Sequence, residues 1–493
     1  MTHVAQPVRI GVIGGGLTGL AAAHRVGELS RERRLSVEVT LLEAGPRLGG
    51  LVGTVEQAGY LIDTGADSFI TNKPGALELC RRLGLDHRLQ ATEPRYRGAL
   101  VLRRGRPRPV PEGFQLLSPT ALGPVLASPV LSPWGKLRLA CEYFVPARRD
   151  ETDESLASFV RRRFGREVLD RLVQPLVAGI YTSDPERLSL AATLPRFLDM
   201  ERQYGSLLRA AWRTSASSNS HVAEDRTSSG ARYGLFAGLQ GGMQELVDAL
   251  VRRVREWTTI LQPAEVAAVI PRRTAPASLE YCLKLRAGSD VVVDAVLIAL
   301  PTAKAAAVLE TCDTALAAAL RGIEYASSVI VVSGHALAEI EHPLNAFGLV
   351  IPHSERRRII AVSFSSRKFP NRAPAGRVLL RTFVGGALQP ELCELSDADL
   401  RQLVRDELRD TLGVGGVPDF MDVFRYPHSM PQYYVGHLQR VADIERLAAQ
   451  HPRLALAGNA YRGVGVPDAI HSGECAAERI LSESTSATIP VEG

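Results

Sequence analysis

A β-branched run, Val8-Arg9-Ile10-Gly11-Val12-Ile13, ends in glycines and is followed by Leu17 to Gly27, an alanine-rich stretch of helical character. Val37 to Glu43 is a second apolar run of strand length. Short β-branched runs bounded by glycine predict buried strands. Strand, glycine turn, helix and strand in that order predict a βαβ unit on a parallel sheet. The pattern next predicts helices over 72–90, with Asn72 as cap and Pro74 in the first turn, over Gly135 to Phe144, and from Asp153-Glu154-Ser155 to Arg166. Residues 186–212 read as partly helical, and 104–133 are rich in Pro, Ser and Leu. Residues 214–230 hold Val222 as their one large aliphatic side chain and predict a mobile loop.

From Gly238 the period changes. Gly241-Gly242 precedes a helix from Met243 to Val254, and strands are predicted at 264–270, 279–286, 291–299, 326–333, 360–364 and 378–384. A helix over 396–412 starts at Ser396 with Asp399 three residues on. The chain closes with a strand, Leu454 to Ala457, a glycine turn and a helix, Asp468 to Leu481.

Composition narrows the classes. The 493 residues suffice for two to four domains, and 45% hydrophobic with 23% charged residues is the balance of a globular chain. A net charge of +5 is too small to argue for nucleic acid, though it does not oppose an anionic substrate or an acidic lipid surface. The six cysteines lie far apart with no CxxC pair, so no metal site and no redox dithiol is expected. No apolar run reaches the ~18 residues of a spanning helix, and the N-terminus lacks a signal-peptide pattern. The expected location is cytoplasmic, with room for peripheral contact at the membrane face. Residues 113–147 combine Leu, Phe and Trp134 with Lys136 and Arg138, with Arg148 just beyond, a composition that suits a bilayer surface.

Gly14-Gly15-Gly16-Leu17-Thr18-Gly19 fits G-x-G-x-x-G, follows a strand and opens a helix. In that setting the glycines permit a tight turn, close approach of a pyrophosphate and packing of helix on strand, with the helix N-terminus toward the phosphates. Glu43, 24 residues past Gly19, stands where a carboxylate accepts hydrogen bonds from ribose hydroxyls and disfavours a phosphorylated ribose. Glu43-Ala44-Gly45-Pro46-Arg47-Leu48-Gly49-Gly50 then adds a basic residue and a glycine pair.

This extended pattern resembles that of the FAD-containing amine oxidase and protoporphyrinogen oxidase superfamily. Gly59-Tyr60-Leu61-Ile62-Asp63-Thr64-Gly65-Ala66 is similar to the segment that lies beside the flavin there, and Leu456-Ala457-Gly458-Asn459 with Gly463-Val464-Gly465-Val466-Pro467-Asp468 is similar to the second flavin segment. The resemblance implies FAD held by Gly14, Gly15, Gly16, Leu17, Thr18, Gly19, Glu43, Ala44, Arg47, Gly50, Leu51, Gly65, Ala66, Asp67, Ser68, Val266, Val464, Gly465, Val466 and Asp468. Asp468 also reads as the N-cap of the last helix.

The middle of the chain narrows the resemblance to oxygen-dependent porphyrinogen oxidases of bacteria. It rests on Gly179-Ile180-Tyr181 with Ser183 to Ser189, on Phe236-x-Gly238-x-x-Gly241-Gly242, on Ala346 to Pro352, on Met430 to His437 and on Asn459 to Gly465. It implies oxidation of protoporphyrinogen IX, or of coproporphyrinogen III, in three two-electron steps with dioxygen as oxidant and hydrogen peroxide as co-product. The implied substrate residues are Gly179, Phe347, Gly348, Val350 and Phe383. No catalytic side chain is assigned, and His437 reads as a hydrogen-bonded structural histidine. Relatives place an arginine where this chain has Ala99; Arg97 is the nearest substitute for a propionate contact, with Arg95 close by. A homodimer or a ferrochelatase contact is a further implied partnership. The rival readings are an amine oxidase or carotenoid desaturase, and a flavin-holding assembly protein without catalysis.

The expected fold class is α/β: a doubly wound FAD-binding domain with an inserted mixed-sheet substrate domain and a helical subdomain. The FAD-binding domain is assembled from 1–91, 235–302 and 450–485. A helical subdomain takes 92–190, either lying on a membrane surface or packed on the protein itself; the substrate domain takes 191–234 and 303–449, and 486–493 is a tail.

Overall fold

The computed structural model describes the chain except for residues 1–5, 113, 116–117, 120–121, 151, 218–235, 276–277 and 487–493. Its first layer is a five-stranded sheet in the order Thr258–Leu261, Val37–Leu42, Val8–Ile13, Ala295–Ile298, Leu454–Leu456. Every pair in it is parallel. Ile10, Val12 and Leu41 are buried, as strands covered on both faces require. The helix Leu17–Arg33 packs on one face with Gln244–Val254 and with Val466–Ser486 beside it. A Cβ on Gly473 would stand 2.3 Å from the Thr18 carbonyl oxygen, so the last helix lies backbone to backbone on the first. The two ends of the chain therefore meet in one layer.

The second layer is a seven-stranded mixed sheet in the order Phe420–Pro431, Tyr325–Ala336, Arg377–Gly385, Ala361–Phe364, Gly348–Val350, Leu100–Arg103, Arg106–Pro109. Among the described residues its one parallel pair joins Gly348–Val350 to Leu100–Arg103. The hairpin 100–109, inside the span read from sequence as a helical subdomain, pairs in this sheet. The chain from Leu156 to Leu207 packs with Val101, Phe114, Leu139 and Tyr433 in a separate apolar cluster around Phe159, Leu172 and Phe197. That cluster is pinned by a fully buried ion pair, Arg163–Glu142. The Glu142 carboxylate also accepts from the Ser206 hydroxyl and the Leu207 and Leu208 amides. A buried pair of this kind is tolerable only when its remaining lone pairs are satisfied.

Several boundaries differ from the periodicity. The helix expected over 72–90 runs only Gly75–Arg82, with Pro74 rather than Asn72 at its N-cap. Gly84 at φ +73° turns the chain, and Leu89–Ala91 becomes a strand. The segment 214–230 is helical to Ser217, and its remainder lies outside the described residues. The last helix begins at Val466, two residues before Asp468. Among the described residues no helix is long and apolar enough to cross a membrane.

Candidate active site

The carboxyl ends of the parallel strands open into a crevice, the usual ligand position in such sheets. Gly14 sits there at φ +104°, where a Cβ would meet the Ala299 carbonyl at 2.5 Å. A Cβ on Gly19 would stand 1.9 Å from the Gly14 carbonyl. Gly16, by contrast, faces open space, with only the Gly50 Cα at 3.9 Å. The helix Leu17–Arg33 has no side-chain N-cap and no acidic residue in its first turn, so its leading amides and positive dipole end are available to an anion.

Glu43 ends the second strand with its carboxylate fixed by the Gly15 amide at 2.7 Å and the Gly45 amide at 2.6 Å. Its backbone pairs with Leu261 and Ala264, which brings the stretch leading to Val266 alongside; Val266 itself is buried. Arg47 is folded onto its own loop, donating to the Val52 carbonyl at 2.8 Å and the Gly50 carbonyl at 2.6 Å. Gly49 donates to the Gly15 carbonyl at 2.8 Å, so the two glycine-rich turns are bonded together. Ala44, Gly50 and Leu51 are exposed along this rim.

Gly65 is held by close approach: a Cβ there would be 1.8 Å from the Leu51 carbonyl. Asp67 beside it is not a free ligand. It is paired with Lys368 at 2.8 Å and Arg381 at 3.1 Å and accepts from the Ser68 hydroxyl at 2.8 Å. Burial alone would raise its pKa, but the two cations outweigh it and hold the carboxyl below the usual range. Arg381 also donates to the Gly65 carbonyl. What this segment offers a cofactor is therefore backbone, near Ala66, and a charge-balanced cluster.

At the other end of the chain, the Gly465 amide donates to the Asp468 carboxylate at 3.2 Å, and Lys73 pairs with it at 2.6 Å. Since the helix starts at Val466, Asp468 stands in its third position and reaches back, as in half of a capping box. It is thus not the N-cap. Val464 and Val466 flank this turn and are half-buried.

The second sheet supplies a floor. Its register places Phe424, Ile330, Phe383, Ala361, Val350 and Val101 in one transverse row. Directly paired residues project from the same face of a sheet. The next row on that face carries Arg381, Ser363 and Gly348. Tyr60 and Ile62 of the hairpin Thr54–Asp63 cover one end of the row. At the other end the helix Gln174–Tyr181 brings Gly179 over Val350, where a Cβ would lie 3.8 Å from Val350 Cγ1. Gly179 is exposed, and Phe383, Phe424 and Val350 are half-exposed, which describes an apolar slot between the two covers. Tyr426 donates its hydroxyl to the Thr64 carbonyl at 2.7 Å, joining slot to crevice.

The sequence-derived substrate residues divide accordingly. Gly179, Val350, Gly348 and Phe383 come together. Phe347 is only 4% exposed, so it supports the wall rather than facing the slot. Arg95 is 77% exposed and paired with Glu93, which leaves Arg97, half-buried with its Nε shielded and unpartnered, as the basic group of interest. His437 is fully buried, stacked 3.9 Å from Tyr433 and bonded to the Tyr461 carbonyl at 2.9 Å. Burial lowers its pKa, so it is a neutral packing residue. Sequence reasoning missed Lys368, Arg381, Phe424 and Ile330. The one available signal was Arg381 itself, a charge inside Val378-Leu-Leu-Arg-Thr-Phe-Val384.

Known proteins resemble this chain over most of its length. The family described as flavin containing amine oxidoreductase matches residues 17–481. Coproporphyrinogen III oxidase of Bacillus subtilis is 33% identical over 474 residues, covering 96% of this chain and 97% of that protein. The enzyme of the same name from Propionibacterium freudenreichii is 34% identical, covering 97% and 91%. A solved structure of a candidate protoporphyrinogen oxidase from Exiguobacterium sp. 255-15 superposes with a TM-score of 0.84 at 28% identity, covering 97% and 99%. With a glycine-lined crevice that a side chain would fill, a preset carboxylate and an uncapped helix N-terminus all fitting FAD, the chain belongs to the flavin-containing amine oxidoreductase family and is an FAD-dependent oxidoreductase.

Proposed function

We propose that this protein oxidises a porphyrinogen to the porphyrin in heme biosynthesis, with coproporphyrinogen III as preferred substrate and protoporphyrinogen IX as a second. The observation that carries the reading is the flat apolar row Phe424–Ile330–Phe383–Ala361–Val350, closed by Gly179 and opening toward the Gly65–Asp67 segment. A porphyrinogen is four pyrroles joined through sp3 meso carbons, a puckered macrocycle with apolar faces and a carboxylate rim, and such a ligand needs an apolar floor, space above it and a cation at the edge. The names of the Bacillus and Propionibacterium relatives favour the four-propionate substrate.

When bound, the flavin supplies the redox chemistry, accepting two electrons at a time from the substrate and passing them to dioxygen. The chain's own part is positional. Gly179, whose Cβ position already touches Val350, closes one end of the slot, so a ring lies beside that contact and over the row. Phe383 and Phe424 exclude water from the floor. Arg97 holds a propionate, bidentate where geometry allows. No side chain at the slot is assigned as general base: Asp67 is ion-paired, and burial raises the pKa of Tyr426, whose proton is donated to Thr64. Substrate pyrrole protons pass to solvent. The balance is one porphyrinogen and three dioxygen giving one porphyrin and three hydrogen peroxide. Aerobic turnover should show that three-to-one ratio of peroxide to porphyrin. Turnover of polyamines with none of porphyrinogens would overturn the reading.

Peripheral membrane contact on the cytoplasmic face is part of the proposal. Trp134, Leu137 and Phe144, spaced three and seven apart, are 78%, 55% and 79% exposed, and Trp212 continues the patch through Tyr143. Lys136 and Arg209 lie beside it, a pairing of aromatic and basic groups that suits anionic lipid. Flotation with anionic liposomes should carry the protein upward and Trp134→Ser with Phe144→Ser should leave it at the bottom. Equal failure of both to float would remove the membrane.

A further inference from the structure

Resting on the porphyrinogen reading, we propose that Arg367, held by Tyr96, is the second guanidinium of a carboxylate clamp with Arg97, and that this pair selects substrates by the carboxylates on their rim. The two arginines are 270 residues apart in sequence but lie at one end of the large sheet. Phe347 donates its amide to the Gly98 carbonyl at 3.0 Å, and Phe364 donates to the Phe347 carbonyl at 2.8 Å. Gly348 pairs with Ser363, and the short helix Ser365–Lys368 follows directly. Residues 97–98, 347–348 and 363–367 therefore share the edge where the slot begins.

Charge at this edge is unbalanced. Arg95 is matched by Glu93, Lys368 and Arg381 by Asp67, and Arg372 by Asp63. Arg97 and Arg367 are matched by no carboxylate among the described residues, and each has a shielded Nε without a partner. Arg367 is positioned nonetheless. It donates to the Tyr96 hydroxyl at 3.0 Å and lies 4.9 Å over the Tyr96 ring. That hydroxyl, once it accepts from Arg367, has its own proton to give to an anion. Two guanidinium groups with shielded Nε and no carboxylate partner, one of them oriented by Tyr96, mark a place for an incoming carboxylate, whose two oxygens fit the planar fork. A rim with four propionates meets both arginines wherever the macrocycle is turned, whereas one with two propionates meets both in only some orientations.

The test is steady-state kinetics of the flavin-loaded full-length enzyme on coproporphyrinogen III and protoporphyrinogen IX. Arg367→Gln should raise KM for the four-carboxylate substrate about tenfold or more, as loss of a charged hydrogen bond implies. Its kcat and flavin content should stay near those of the unaltered enzyme, and KM for the two-carboxylate substrate should rise less. Arg367→Lys should recover part of the loss, and Tyr96→Phe should shift KM in the same direction by a smaller factor. An unchanged KM in Arg367→Gln, or a fall in kcat and flavin content at unchanged KM, overturns the clamp. Inactivity of the unaltered enzyme on both substrates defeats the porphyrinogen reading itself, which separates the two failures.

Discussion

Protein carrying Glu43→Ala is expected to purify largely without its yellow colour, and Gly15→Ala more completely so. The Glu43 carboxylate is preset by two backbone amides at 2.7 and 2.6 Å, at the end of a buried strand. Hydrogen bonds to a charged acceptor contribute about 1.5–3 kcal/mol each. Loss of two such bonds from the ribose side lowers flavin affinity by about 10²–10⁴-fold. Gly15→Ala acts sterically: its Cβ would stand 2.4 Å from Leu48 Cδ2 and 3.1 Å from Glu43 Oε2, displacing both from the cradle. The ratio of flavin to protein on purification, and the rise in melting temperature on adding FAD, measure the effect. Stoichiometric flavin in both variants would show that this crevice is not the cofactor site.

Gly179→Leu is the second large effect. The Cβ position at Gly179 lies 3.8 Å from Val350 Cγ1, an ordinary van der Waals separation. Alanine therefore fits, and within a helix it stabilises by about 0.5–1 kcal/mol relative to glycine. Leucine cannot fit its isobutyl group against Val350 and must extend it along the slot, where the ring is to lie. Gly179→Ala should melt at or above the temperature of the unaltered protein and keep some activity. Gly179→Leu should retain flavin and fold but lose at least about a hundredfold in kcat/KM, the scale of a misplacement of about 1 Å. Full activity in Gly179→Leu would move the substrate away from this slot.

The nucleotide half of the molecule was legible because its chemistry is backbone chemistry. Gly14, Gly15 and Gly19 announce themselves where no side chain fits, Gly16 faces the open crevice, and Glu43 follows at a fixed strand length. The two segments expected beside the flavin, 59–66 and 456–468, were taken from resemblance instead. The substrate half was less so. Phe420–Pro431 went unseen because it is an edge strand, half-exposed and interrupted by Asp422, Arg425 and Pro427, so no alternation survives. Thr258–Leu261 is four residues at the edge of a parallel sheet. The transverse row of the slot joins strands from 101 to 424, and only register brings them together. Arg97 and Val350 were chosen by resemblance, whereas the Asp67–Lys368–Arg381 cluster depends on contacts some 300 residues apart that no local pattern encodes.

The most direct test mixes the flavin-loaded protein with coproporphyrinogen III under strict exclusion of air and follows the visible absorbance of the flavin. If crevice and slot meet as described, the yellow band bleaches within one turnover, and admitting oxygen restores it while porphyrin and peroxide appear. A band that persists with saturating porphyrinogen, in protein that dithionite bleaches normally, would contradict the claim that substrate and cofactor share one site.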